Sequence, residues 1–164
     1  MVSRLQRELK QNRPFGAPTQ EAAVALMRTA DLMRRALAAV VEPLDITIQQ
    51  YNVLRILRPA GERGLPTLEI AERMIEQAPG ITRLIDRLEA KELVARERCA
   101  TDRRQVFCRI TAGGLALLAR LDAPVQEAEK EALRDLTDPQ LSRLLSLLDR
   151  ARVGFHTEIA QEIS

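Results

Sequence analysis

The chain has 164 residues, of which 46% are hydrophobic, 29% charged and only 2% aromatic, and its formal net charge is +2. That length suffices for one domain with extensions and a sizeable core, and the balance excludes a disordered polyelectrolyte. The two cysteines, Cys99 and Cys108, are too few for a disulfide scaffold, and no apolar run approaches the roughly 20 residues a membrane span needs. A cytoplasmic protein with reduced thiols is expected. The charge is unevenly spread. Residues 73–110 carry nine Lys and Arg against six Asp and Glu, while the tail from 111 carries six against nine. A basic middle beside an acidic end leans toward a polyanionic partner for the middle.

Residues 1–18 are polar and broken by "RPFGAP", which predicts a loosely held, flexible arm. From Thr19 the apolar residues Leu26, Ala30, Met33, Leu37, Val40 and Leu44 recur in steps of four and three, the stripe of a long helix. "TIQQYNVLRIL" predicts a second helix, opened by a Thr47/Gln50 capping box and burying Val53, Leu54 and Leu57. After a short extended "LPT", Thr67 is expected to cap a third helix, "LEIAERM". A tight link leads to a fourth, "APGITRLIDRLEAKEL", with Pro79 at its first helical position and Ile81, Leu84, Ile85 and Leu88 facing inward. Two strands near 94–99 and 105–110 follow, joined through the polar "ATDRR". Thr111 then caps a fifth helix with the stripe Leu118, Leu121, Val125, Ala128 and Ala132. Asp138 and Pro139, as cap and first position, open a sixth with Leu141, Leu144, Leu148, Ala151, Phe155 and Ile159.

The third and fourth helices have helix-turn-helix proportions, a weak sign alone because any pair of short helices in a bundle is similar. The outer face of the fourth strengthens it. Gln77, Thr82, Arg83, Asp86 and Arg87 all point away from the apolar side, and Arg83 and Arg87 stack one turn apart within reach of phosphates or a guanine edge. The competing reading is a solvated face with ion pairs Arg83–Asp86 and Arg87–Glu89. The hairpin favours DNA: a strand-loop-strand directly after a helix-turn-helix is a winged helix. Its tip sets Arg103 and Arg104 beside Asp102, suited to a narrow, electronegative minor groove.

Three stretches, "LDITIQQYNVLRIL", "TLEIAERMIEQAPGITRLIDRLEAKELVARE" and "DRRQVFCRITAGGLALL", resemble the MarR family of winged-helix transcriptional regulators over about residues 20–155. The resemblance implies a mainly α fold with a small β-wing and with N- and C-terminal dimerisation helices. It implies a homodimer whose fourth helices enter the major groove of a pseudo-palindromic operator, with the wings beside them. The regions would be the arm 1–18, a dimerisation helix 19–44, the DNA-binding winged helix-turn-helix 45–111, and C-terminal dimerisation helices 112–164. The DNA-facing candidates are Thr67, Gln77, Ala78, Pro79, Gly80, Thr82, Arg83, Arg87, Asp102, Arg103 and Arg104. Ala78, Pro79 and Gly80 depart from the small polar or basic residues common in relatives, leaving side-chain readout to Gln77, Thr82 and Arg83. Ile75 replaces a glycine common in the inter-helix turn.

For pairing of subunits the candidates are Leu26, Met33, Leu37, Val40, Leu121, Leu144, Leu148 and Phe155. A helix over 19–42 is about 36 Å long at roughly 1.5 Å per residue, more than one small domain covers, although packing within the chain is the alternative. The resemblance further implies repression released by a small aromatic or phenolic effector, with Arg34, Tyr51 and Arg55 as candidate lining and ordinary surface or core roles competing for each. Oxidation of Cys99 and Cys108 is an alternative trigger, against which strand cysteines are commonly inert apolar residues. A winged helix used only for protein contacts is the other alternative. His156 is the sole histidine, and no nucleophile-base set, phosphate-cradling loop or metal-ligand spacing occurs, so neither an enzyme nor a metal or cofactor is expected.

Overall fold

The structure is a computed structural model that describes residues 3–76, 80–98 and 106–162. The polar N-terminus holds more order than its composition suggests. Ser3 and Gln6 form a reciprocal capping box that starts a short helix, α1 (Arg4–Glu8), and the Gln6 amide also donates to the Arg13 carbonyl at 3.1 Å. Gln6 is thereby buried with its polar groups satisfied. The long helix α2 (Pro18–Val41) opens on its proline, whose missing N–H is no loss at a first helical position. Its predicted stripe divides. Leu37, Val40 and Leu44 pack on the core, whereas Leu26 is 45% exposed and its neighbour Met27 64%.

Helix α3 (Ile48–Leu57) carries the predicted capping box: Thr47 Oγ1 accepts from the Gln50 amide at 3.2 Å and Gln50 returns the bond at 3.0 Å. Val53, Leu54 and Leu57 are fully buried. Each such side chain contributes about 1.5–3 kcal/mol through loss of apolar contact with water. After a 3-10 segment come β1 (Leu65–Pro66), α4 (Thr67–Arg73) and α5 (Ile81–Ala90). The predicted cap at Thr67 is corrected: Pro66 occupies the cap position, Thr67 is the first helical residue, and no side chain caps α4. Helix α5 begins two residues after Pro79, because Gly80 takes a left-handed backbone (φ 99°) that closes the turn first.

Strands β2 (Val94–Arg98) and β3 (Val106–Ile110) pair antiparallel, Arg96 opposite Cys108, and β1 adds to the other edge of β3. Helix α6 (Ala112–Ala132) is capped by Thr111 as predicted, the hydroxyl accepting from the Gly114 amide at 3.1 Å while donating to the Glu92 carbonyl at 2.6 Å. Leu117, Leu118, Leu121 and Val125 close the core formed by α3, α4, α5 and the sheet.

Residues 1–129 form one compact unit and 130–164 another. The second contains α7 (Asp138–Glu162), whose cap lies one residue earlier than expected: the Thr137 amide donates to Gln140 Oε1 at 2.8 Å, making Asp138 the first helical residue. Leu141, Leu144 and Leu148 are half-buried, while Leu145, Leu147, Val153 and Phe155 are exposed. Among the described residues no helix is long and apolar enough to cross a membrane.

Candidate nucleic-acid interface

Helix α5 is strongly two-faced. Ile85 and Leu88 are buried and Ile81 and Leu84 half-buried, while Thr82, Arg83, Asp86 and Arg87 lie in solvent, the division that the spacing predicts. The Arg83–Asp86 and Arg87–Glu89 ion pairs of the competing reading do not form. Asp86 and Glu89 turn instead to Arg96 on β2, and among the described residues no carboxylate pairs with Arg83 or Arg87. Two arginines one helical turn apart are thus left available to a ligand, an arrangement suited to phosphate oxygens or base edges. Gly80 and the first turn of α5 add backbone amides without a side-chain cap.

The approach to α5 is fixed from α3. Asn52 Oδ1 accepts from the Ile75 amide at 3.0 Å, so the inter-helix turn at Ile75 is held by a side chain from another helix. No local signal marks Asn52 for that task. Thr67, among the DNA-facing candidates, is half-buried, and its hydroxyl points inward: it donates to the Val106 carbonyl at 3.4 Å and lies 3.7 Å from Cys108 Sγ. Gln77, Ala78, Pro79, Cys99, Asp102, Arg103 and Arg104 lie outside the described residues, as does the side chain of His156.

Cys108 is fully buried, and that burial pushes its thiol up from the ordinary range against a smaller downward pull from its Thr67 contact. A protonated, inaccessible thiol is a poor nucleophile and a poor oxidation target. Leu121, a candidate for the contact between subunits, is 1% exposed within its own chain's core and offers a partner no surface.

A cleft of about 270 Å³ opens between α2, α3 and the turn after α4, and it brings Arg34, Tyr51 and Arg55 together. Met33, Leu37 and Met74 supply much of its apolar wall. The Arg55 guanidinium lies 5.8 Å from the centre of the Tyr51 ring, within cation–π range. Burial raises the Tyr51 hydroxyl above the usual phenol range, with Arg55 opposing, so the group stays protonated at neutral pH. At the mouth, Glu76 Oε1 lies 3.5 Å from Arg34 Nε.

Helix, turn, exposed second helix and antiparallel strand pair together define a winged helix-turn-helix protein. Residues 46–106 match the model of the MarR family. The chain is 39% identical to a MarR transcription factor from Planctomyces limnophilus, covering 83% of this chain and 98% of that one, with a TM-score of 0.64. A mutant MarR from E. coli, complexed with operator DNA, is 26% identical and covers 91% and 99% of the two chains, with a TM-score of 0.73. HTH-type transcriptional repressor Rv2887 of Mycobacterium tuberculosis is 28% identical over 125 residues, which is 76% of this chain and 88% of the relative. The protein belongs to the MarR family of transcriptional regulators.

Proposed function

We propose that the protein is a homodimeric, sequence-specific DNA-binding repressor whose grip on its operator is released by a small aromatic anion. The observation that carries the DNA reading is the solvent face of α5, where Arg83 and Arg87 stand one turn apart without a carboxylate partner among the described residues. Major-groove reading would rest on Thr82, Arg83 and Arg87, with Gln77, Ala78, Pro79 and Gly80 at the tip, and minor-groove contact on Asp102, Arg103 and Arg104. The repressor name of one relative and the operator complex of another support the same reading.

Pairing of subunits is supported by apolar side chains the chain leaves in water: Leu26, Met27 and Leu32 on α2, and Leu145, Val153 and Phe155 on α7. Met33, Leu144 and Leu148 would flank them. Regions 19–44 and 112–164 would then dimerise while 45–111 reads DNA, in the cytoplasm. The effector reading is supported by the cleft, where an apolar wall that includes Tyr51 accepts a ring and Arg34 and Arg55 receive an anionic group.

Selection of duplexes from a random library by the purified full chain tests this. The enriched sequence is expected to be a pseudo-palindrome with half-sites roughly 10 bp apart. Replacing Arg83 and Arg87 with Ala is expected to weaken the selected duplex and to lower the salt slope, each lost phosphate contact removing about 0.9 from it. Absence of any enrichment, with no retention of DNA at low salt, would leave only a protein-contact role.

A further inference from the structure

We infer that Arg96 is a positioning residue that sets the rotation of α5 against the β2–β3 strand pair, so that specific recognition depends on a side chain that itself contacts no DNA. This rests on the DNA-binding reading above. The position is unusual for an arginine. Strand alternation puts Arg96 on the same side as Val94, which is buried, whereas Ala95 and Glu97 are exposed on the other. The ordinary occupant of that inward position is apolar.

The arginine instead crosses to α5 and spans it. Its Nη2 donates to the Thr82 carbonyl at 3.4 Å and to the Asp86 carboxylate, and its Nε lies 3.4 Å from Glu89 Oε2, an ion pair without hydrogen-bond geometry. Thr82, Asp86 and Glu89 lie on successive turns along one flank, so a single planar group bridges about two turns of the helix. Thr82 and Asp86 immediately precede Arg83 and Arg87, the two arginine readers, which sit about 100° further round the axis. Rolling α5 would therefore swing both readers sideways from a base edge. Asp86 and Glu89 are about half exposed, so these ion pairs add little to global stability. Their effect falls on orientation.

The test compares full-length wild type with Arg96→Met, of similar length and without charge, and with Arg96→Lys. Affinity is measured for the duplex selected by the wild type and for a scrambled duplex of equal length, across a salt series. Arg96→Met is expected to lower affinity for the selected duplex by about tenfold or more, the equivalent of one mismatched base pair. It is expected to leave the scrambled duplex and the salt slope unchanged, and Arg96→Lys is expected to recover part of the loss. If Arg96→Met fails to fold, the pair Asp86→Asn with Glu89→Gln makes the same comparison from the other side. Undiminished affinity for the selected duplex in the variants overturns the role. A salt slope reduced by about 0.9 would also overturn it, by making Arg96 a phosphate contact. Wild type that does not distinguish the two duplexes removes the DNA-binding reading and this role with it. Wild-type discrimination that the variants retain removes this role alone.

Discussion

Arg34 and Glu76 join the long α2 helix to the turn ahead of α5 across the mouth of the apolar cleft, 3.5 Å apart between Nε and Oε1. Arg34 also holds Asp31 at 2.5 Å, and Gln49 donates to the other Glu76 oxygen at 3.4 Å. A ligand carboxylate entering the cleft would meet an arginine already engaged by a carboxylate. The exposed pair is worth only about 0.2–1 kcal/mol, small enough for a ligand to displace. With benzoate as probe, Glu76→Gln is expected to tighten binding by up to about fivefold, the equivalent of the upper end of that range, and Arg34→Ala to weaken it. Titration calorimetry checks this, and equal affinity in all three proteins would show that the pair does not guard the cleft.

Cys108 predicts an alkaline loss of stability. Its thiol is raised by burial in the folded chain, so between the ordinary thiol pKa and the folded value the unfolded chain has lost a proton that the folded chain keeps. Stability from this group is complete below the ordinary value and declines as pH rises through it. Tyr51, raised for the same reason, acts in the same direction at higher pH. The urea midpoint is expected to fall between about pH 8 and about pH 10, and to fall less in Cys108→Ala. In the folded protein Cys108 is expected to resist alkylation, as peptide mapping after iodoacetamide would report.

Two helical glycines are expected to respond oppositely to alanine. A Cβ at Gly114 would run into the Leu93 carbonyl and stand 2.7 Å from Ile110 Cγ1, whereas one at Gly154 meets nothing within 4 Å. Replacing a helical glycine by alanine ordinarily stabilises by about 0.5–1 kcal/mol. At Gly114 the overpacking, about 1–3 kcal/mol, outweighs that gain. Thermal unfolding is expected to show Gly114→Ala lower than wild type and Gly154→Ala slightly higher.

Apolar residues left in water predict the oligomeric state. Sedimentation equilibrium is expected to find wild type dimeric at micromolar concentration, and Leu26→Asp combined with Phe155→Asp to shift it toward single chains. Wild type that sediments as a monomer would refute the proposed pairing. Leu121→Ala is expected to act differently, lowering stability by about 2–5 kcal/mol through a core cavity with no selective effect on association.

Helices were legible wherever the governing interaction spans three or four residues. Thr47 with Gln50, Thr111 with Gly114, and the two faces of α5 are all of this kind. The Ser3/Gln6 box has the same spacing and is equally legible, although the polar composition around it and the "RPFGAP" break at 13–18 point to a loose arm. The start of α5 differs from the expectation because a proline suits a first helical turn in general, whereas here the left-handed Gly80 closes the turn before the helix begins at Ile81.

What the sequence by itself determined is the set of elements, their buried faces and the winged helix-turn-helix class, because periodicity and capping are local properties of the chain. The tertiary structure decided which partners those faces meet. A stripe containing Leu121 looks the same whether it fills its own core or covers a second subunit, and only packing distinguishes them. Likewise Asp86 has Arg83 within helical reach, yet Arg96 from β2 takes it. Which arginine wins depends on the distance between a strand and a helix, set by how the core beneath them packs, and no spacing along the chain encodes that.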